Sequence, residues 1–164
     1  VLKRLSKHYQ TGQPLPDATI DNLIHSKNFC SALFNLRQLS FGIFDYKVHS
    51  EELKEPVLNI YQKVLKEVSL RPVLDDSYGP ASFGHIMSPM YACGYYSYLW
   101  SLVYSCDIFS LFKEKGIYSE QEGTRLRECI LSKGSSEKAS VLLRNYLQRE
   151  PKMDAFLEEM GLKN

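Results

Sequence analysis

Val57, Ile60, Tyr61, Val64 and Val68 fall on one stripe of a 3.6-residue period, opposite Asn59, Gln62, Lys63 and Lys66. Side chains at that spacing share a face only on an α-helix, so segment 56–70 is predicted to be a surface helix with one side on a core. The same period returns along most of the chain, and no stretch alternates apolar and polar residues as a half-buried strand does. The implied fold class is all-α and multi-helical, a single helical unit over 1–164; the isolated stretch 71–74 alone suits an extended conformation.

Glycine, proline and capping residues place the other elements. Segment 2–10 is a short amphipathic stretch ended by Thr11-Gly12, Pro14 and Pro16 make a turn, and Asp17 can cap a helix carrying Ile20, Leu23 and Ile24. In 29–47, Phe29, Leu33, Leu36, Leu39 and Ile43 form one stripe, with Phe34, Phe41 and Phe44 outside it. Apolar on several sides, this helix is expected to be the most buried, and its Arg37 and Asp45 then need partners. A linker with Asp75-Asp76 and Tyr78-Gly79-Pro80 leads into a tyrosine-rich loop, the two together covering 72–94. A long helix then runs from about Tyr95 to Lys115, where Gly116 stops it. Ser119 with Glu122 makes a capping box for a helix through Leu131. Gly134-Ser135-Ser136 breaks the chain and caps a helix that turns Ala139, Leu142, Leu143 and Tyr146 inward. Pro151, at a first helical position, opens the last helix, which Gly161 closes.

The loop carries the chemistry. Phe83-Gly84-His85 is followed by Tyr91, Tyr95, Tyr96, Tyr98 and Trp100, with Ser88, Pro89, Ala92, Gly94 and Ser97 between them. Each phenol offers an O–H that stays neutral at pH 7, on a ring with only two torsions to fix, which suits gripping a peptide. Once the helix begins, Tyr95 and Tyr98 share a face and Tyr96 points elsewhere. Rings at helical spacing also build cores, so the residues alone leave packing open beside binding. The histidine on a glycine-bearing approach, and phenols that would need partners if buried, favour binding.

Composition excludes other classes. A chain of 164 residues can bury roughly 70% of the surface it exposes when unfolded, and 44% hydrophobic with 24% charged residues is ordinary for a soluble globular protein. A net charge of +1 without a basic stripe gives no electrostatic footprint for nucleic acid or an acidic membrane. Cys30, Cys93, Cys106 and Cys129 are widely separated, with no Cys-x-x-Cys pair, and their apolar or helical contexts read as buried free thiols of a cytosolic protein.

Phe83-Gly84-His85, then Tyr91, then Gly94-Tyr95-Tyr96-Ser97-Tyr98-Leu99-Trp100, resembles the tyrosine-rich substrate loop of the thimet oligopeptidase and oligopeptidase A family of zinc metallopeptidases. Lys27-Asn28-Phe29, Ala32 through Leu39 and Phe44-Asp45 resemble the helix that follows that family's zinc-binding region. Asp107-Ile108-Phe109, Lys115-Gly116, Gly134-Ser135, Arg149-Glu150-Pro151 and Ala155-Phe156-Leu157 resemble its C-terminal tail. The resemblance implies the C-terminal portion of a metallopeptidase catalytic domain, acting on short peptide substrates with zinc. The family's His-Glu-x-x-His helix is missing: none of His8, His25, His49 and His85 is followed by Glu or by a second His four residues on. The expectation is therefore a piece of a longer enzyme, inactive alone, with zinc ligands elsewhere and the remainder of the same chain as its partner. Val1 in place of Met fits a truncated or cleaved chain.

Matched to the family motif, Tyr98 takes the role of donor to the oxyanion, and Tyr95 shares it or holds the peptide backbone. Tyr91 contacts substrate from the loop and His85 hydrogen-bonds the bound peptide. The bland alternatives stay open: Tyr98 as core, His85 capping a helix or bonding a loop carbonyl. Tyr96 and Trp100 read as packing, and Asp107 as a structural partner for a cation. Pro89-Met90 stands where the family has Gly-Gly, which stiffens the loop, and Leu102 stands where many relatives carry an acidic residue. A non-catalytic helical interaction or regulatory module, and a tyrosine-lined small-ligand pocket, are the other functions such residues permit.

Overall fold

The computed structural model describes residues 1–50, 52–70, 73–74 and 76–163. Among them every regular element is helical, as the 3.6-residue period requires, and no helix is long and apolar enough to cross a membrane. The expected extended stretch at 71–74 falls partly outside the described residues.

The first core forms where α3 (Ser31–Ser50) lies against α4 (Val57–Val68). Phe44 and Val64 are fully buried there together with Ile86 from the tyrosine-rich loop, and Val57, Ile60, Tyr61 and Val68 of the apolar stripe surround them. Phe44 meets Tyr61 edge to face, with ring centroids 5.1 Å apart. The short helix α5 (Gly79–Ser82) rests on α4 because Gly79 has no side chain: a Cβ there would stand 2.5 Å from the Tyr61 hydroxyl.

Burial along α3 departs from the sequence reading. Phe41 and Phe44, placed outside the stripe, are the buried phenylalanines, whereas Phe29, Phe34, Leu39 and Ile43 are exposed. The buried residues of α3 are Ser40, Phe41, Phe44 and Asp45, with Phe44 meeting α4 and Asp45 the tyrosine loop, so α3 is not buried on all sides.

The second core is C-terminal. Helix α6 (Ser97–Lys115) ends at Gly116, whose φ of 109° lies in the region that favours glycine, and α7 (Glu120–Leu126) passes into a π-helical turn (Arg127–Leu131). Against these, α8 (Ala139–Leu147) buries Leu142, Leu143, Tyr146 and Leu147; Ala139, expected inside, is exposed. The capping box is half realised. Ser119 Oγ accepts the Glu122 N–H, but the Glu122 carboxylate turns inward to Lys115 (2.7 Å) and Arg125 (3.0 Å) instead of returning to Ser119. These cations hold the Glu122 carboxyl below its ordinary range, Lys115 first, against the opposing effect of burial.

Several element limits differ from expectation; among them, Gly134-Ser135-Ser136 breaks the chain but does not cap α8, whose N-cap is Lys138 with no side-chain cap hydrogen bond. Helix α1 (Leu2–Leu5) stops early, at an extended Ser6, and beyond it His8 Nδ1 accepts the N–H groups of Gln10 and Thr11 in a turn. Asp17 is the first residue of α2 (Asp17–Ser26), not its cap, and its carboxylate accepts from Lys3 at 2.7 Å. Helix α9 (Asp154–Glu159), which packs on α6, begins three residues after Pro151. The intervening chain is held open by Asp107, whose carboxylate takes two Arg149 N–H donors (2.5 and 2.7 Å) and the Lys152 amide (2.8 Å). All four cysteines are free thiols; Cys30 is exposed and the other three half-buried, not the fully buried set expected.

Candidate functional site

Between α5 and α6 the chain runs through successive turns over 84–93, pinned at one end by Ile86 in the core and at the other by Asp45. Asp45 is buried on α3, and its two carboxylate oxygens accept the N–H groups of Cys93 (2.9 Å) and Tyr95 (2.8 Å). His49, one turn further along α3, places Nδ1 2.9 Å from the same carboxylate. Between the two anchors the turns bring the rings of His85, Tyr91, Tyr95 and Tyr98 together.

His85 stacks at a tilt on Tyr91 with centroids 4.3 Å apart, and lies 5.7 Å from both Tyr95 and Tyr98. Tyr95 and Tyr98, on one face as their spacing predicts, meet edge to face at 5.2 Å. Phe41 and Phe83 close the underside around Tyr95. The four residues singled out from the sequence therefore form one continuous aromatic patch.

Their polar atoms differ in accessibility. Tyr98 is 55% exposed, so it is not a core residue, and its hydroxyl stands 2.9 Å from His85 Nε2. That contact also replaces the helix cap or loop carbonyl considered for His85. The other ring nitrogen, Nδ1, is buried and has no hydrogen-bond partner among the described residues. Tyr95 is half-buried and its hydroxyl donates to Gln38 Oε1 at 2.6 Å. Burial raises the Tyr95 pKa, the neighbouring Tyr98 phenol adds to this, and Arg37 opposes it, so the phenol stays protonated well above neutral pH. Tyr91 is 47% exposed.

Tyr95 and Tyr98 face an open groove of about 870 Å³ between α3 and α6, lined across from Tyr98 by Gln38, Gly42 and Ile43 of α3; His85 and Tyr91 are not among its lining residues. The groove is mostly apolar with a few convergent polar groups, the usual make-up of a ligand site. Trp100 stacks on Tyr104 and is half exposed, and Tyr96 is exposed. Asp107 pairs with Arg149, the structural role expected of it. Among the described residues no three His, Cys, Asp or Glu side chains converge to hold a metal ion.

Two contributors lay beyond the sequence reading of the site. Asp45 stood out as a charge on an apolar helix, but its partners lie 48 and 50 residues away. Gln38 carried no signal beyond its place in that helix.

The sequence profile of Peptidase family M3 matches residues 1–162. Oligopeptidase A of Escherichia coli (strain K12) is 41% identical over 162 residues, covering 97% of this chain and 24% of that protein. Saccharolysin of Saccharomyces cerevisiae is 39% identical over 168 residues, covering 99% and 23%, and the dipeptidyl carboxypeptidase of E. coli is 30% identical over 166 residues, covering 99% and 24%. The chain thus spans about a quarter of the length of the curated relatives it matches. Since the profile runs almost from end to end, through the aromatic patch and both cores, the chain belongs to peptidase family M3.

Proposed function

We propose that this chain is the substrate-facing wall of a zinc metallo-oligopeptidase that hydrolyses peptide bonds in short peptides, with Tyr98 as donor to the oxyanion. The observation that carries this reading is Tyr98, a half-exposed residue lining the groove whose hydroxyl stands 2.9 Å from His85 Nε2. The proton inventory of His85 supports it. A proton on the buried, unpartnered Nδ1 would strand an N–H, whereas an unused lone pair there is less costly. The proton therefore sits on Nε2 and is donated to the Tyr98 oxygen, which leaves the phenol's own hydrogen free to point into the groove. As water adds to a scissile carbonyl, charge collects on its oxygen, and a pre-aimed neutral donor there contributes about 2.7–4 kcal/mol to the transition state.

Tyr95 has the complementary role. Its hydrogen is engaged by Gln38, so its oxygen is left to accept from a substrate backbone N–H and hold the peptide along the groove. His85 and Tyr91, stacked on one another behind Tyr98, are assigned to substrate contact on the motif they share with the family. Zinc is assigned to ligands outside this chain, because its sequence holds no His-Glu-x-x-His motif. The rest of the same polypeptide is the partner of this wall, and exposed apolar residues away from the groove, such as Phe29, are open for it to cover. Four free thiols suit a reducing, cytosolic setting.

The complete polypeptide containing this chain should cleave a quenched fluorogenic peptide, lose that activity to a chelator and regain it with zinc. Zinc-loaded protein that binds peptides without cutting them would overturn the enzyme reading in favour of a helical interaction module.

A further inference from the structure

The geometry points to Asp45 as the positioning residue of the tyrosine wall, an inference that rests on the peptidase reading above. The side chain is 1% exposed and lies on the covered side of α3, so it meets no substrate. Both of its oxygens are spent on the main chain on either side of Gly94: one on the Cys93 amide, the other on the Tyr95 amide. That stretch of backbone would not hold itself. Cys93 has φ of 58°, a conformation disfavoured for any residue but glycine, and the turn is so tight that a Cβ on Gly94 would stand 3.2 Å from the Tyr91 carbonyl oxygen. Helix α6 begins two residues after Tyr95, so the direction in which Tyr98 leaves the helix, one turn on, is set by this anchor. His49 Nδ1, on the same carboxylate, fixes its rotamer. Asp45 therefore acts through Tyr95 and Tyr98, by aiming them.

The test uses the complete protein and Asp45→Asn, which keeps the shape but turns an NH2 toward one of the two amide donors. Residue-resolved hydrogen–deuterium exchange should show the Cys93 and Tyr95 amides of the wild type protected, and in the variant exchanging about tenfold faster or more while α4 and α8 are unchanged. Turnover per zinc-loaded, folded enzyme should fall by about a hundredfold with little change in KM, as expected for a misaimed donor. Combined with Tyr98→Phe, the same substitution should add less than about threefold, because the donor it aims is already gone. Undiminished turnover per folded enzyme, or a full hundredfold further loss on the Tyr98→Phe background, would overturn the assignment. So would rapid exchange of the two amides in the wild type, a result that stands even if the variant does not fold. A wild type inert toward peptides would fail the peptidase reading, and the exchange would still decide whether Asp45 holds the turn.

Discussion

His85 Nε2 and the Tyr98 hydroxyl stand 2.9 Å apart, joining a residue of the loop to the first turn of α6 thirteen positions later. The contact links two segments whose relative placement depends on Ile86 in the core and on Asp45. In the proposed function, a peptide lying in the groove would meet a phenol already oriented by this contact.

His85→Ala removes the partner that, in the function proposed here, frees the Tyr98 hydrogen. In the complete protein kcat/KM should fall roughly fivefold, the equivalent of about 1 kcal/mol for one lost hydrogen bond. Steady-state kinetics on a fluorogenic peptide measures this. Thermal unfolding should change little, because the ring is only half-buried.

Phe44→Ala opens a cavity between α3 and α4 at a fully buried position. Urea unfolding should show a loss of about 3–5 kcal/mol. Peptide affinity should weaken as well, since Phe83 and Tyr95 pack against the same cluster. A loss below 1 kcal/mol would mean that this core does not support the loop.

Asp107→Asn tests the clamp that keeps the chain after α8 out of helix. Burial alone would raise the Asp107 pKa, but the Arg149 and Lys152 hydrogen bonds and charges outweigh it and hold the carboxyl below its ordinary value. A folded-state pKa below the unfolded one makes the stabilisation complete above the ordinary carboxylate range and removes it as pH falls through the depressed value. Wild-type stability should therefore drop between about pH 4 and the lower folded-state pKa, and the variant should lose part of that dependence. At neutral pH the variant should be less stable by about 2–3 kcal/mol, under the full cost of breaking a buried pair because Arg149 retains some exposure. Denaturant unfolding across a pH series measures both effects.

Legibility in the sequence followed the range of the interactions. The Val57 to Val68 stripe announced α4, because its period needs no knowledge of a partner. The long helix ending at Lys115 was equally visible from Gly116. On α3 the apolar residues surround the axis, and which side is covered depends on α4 and on Ile86 from a distant loop; Phe41 and Phe44 were therefore misplaced. Pro151 failed as a helix start because a carboxylate 44 positions upstream captures its neighbours. The patch of His85, Tyr91, Tyr95 and Tyr98 was read from the motif, whereas the hydrogen bonds aiming its phenols come from Asp45 and Gln38 on another helix.

The central claim is that the Tyr98 hydroxyl donates to the oxyanion. Its most direct test is kcat for peptide hydrolysis by the complete, zinc-loaded protein carrying Tyr98→Phe, which deletes one oxygen from an exposed ring and should leave the fold intact. The account predicts a fall of about a hundred- to a thousandfold in kcat with KM nearly unchanged. A kcat equal to that of the wild type would contradict it.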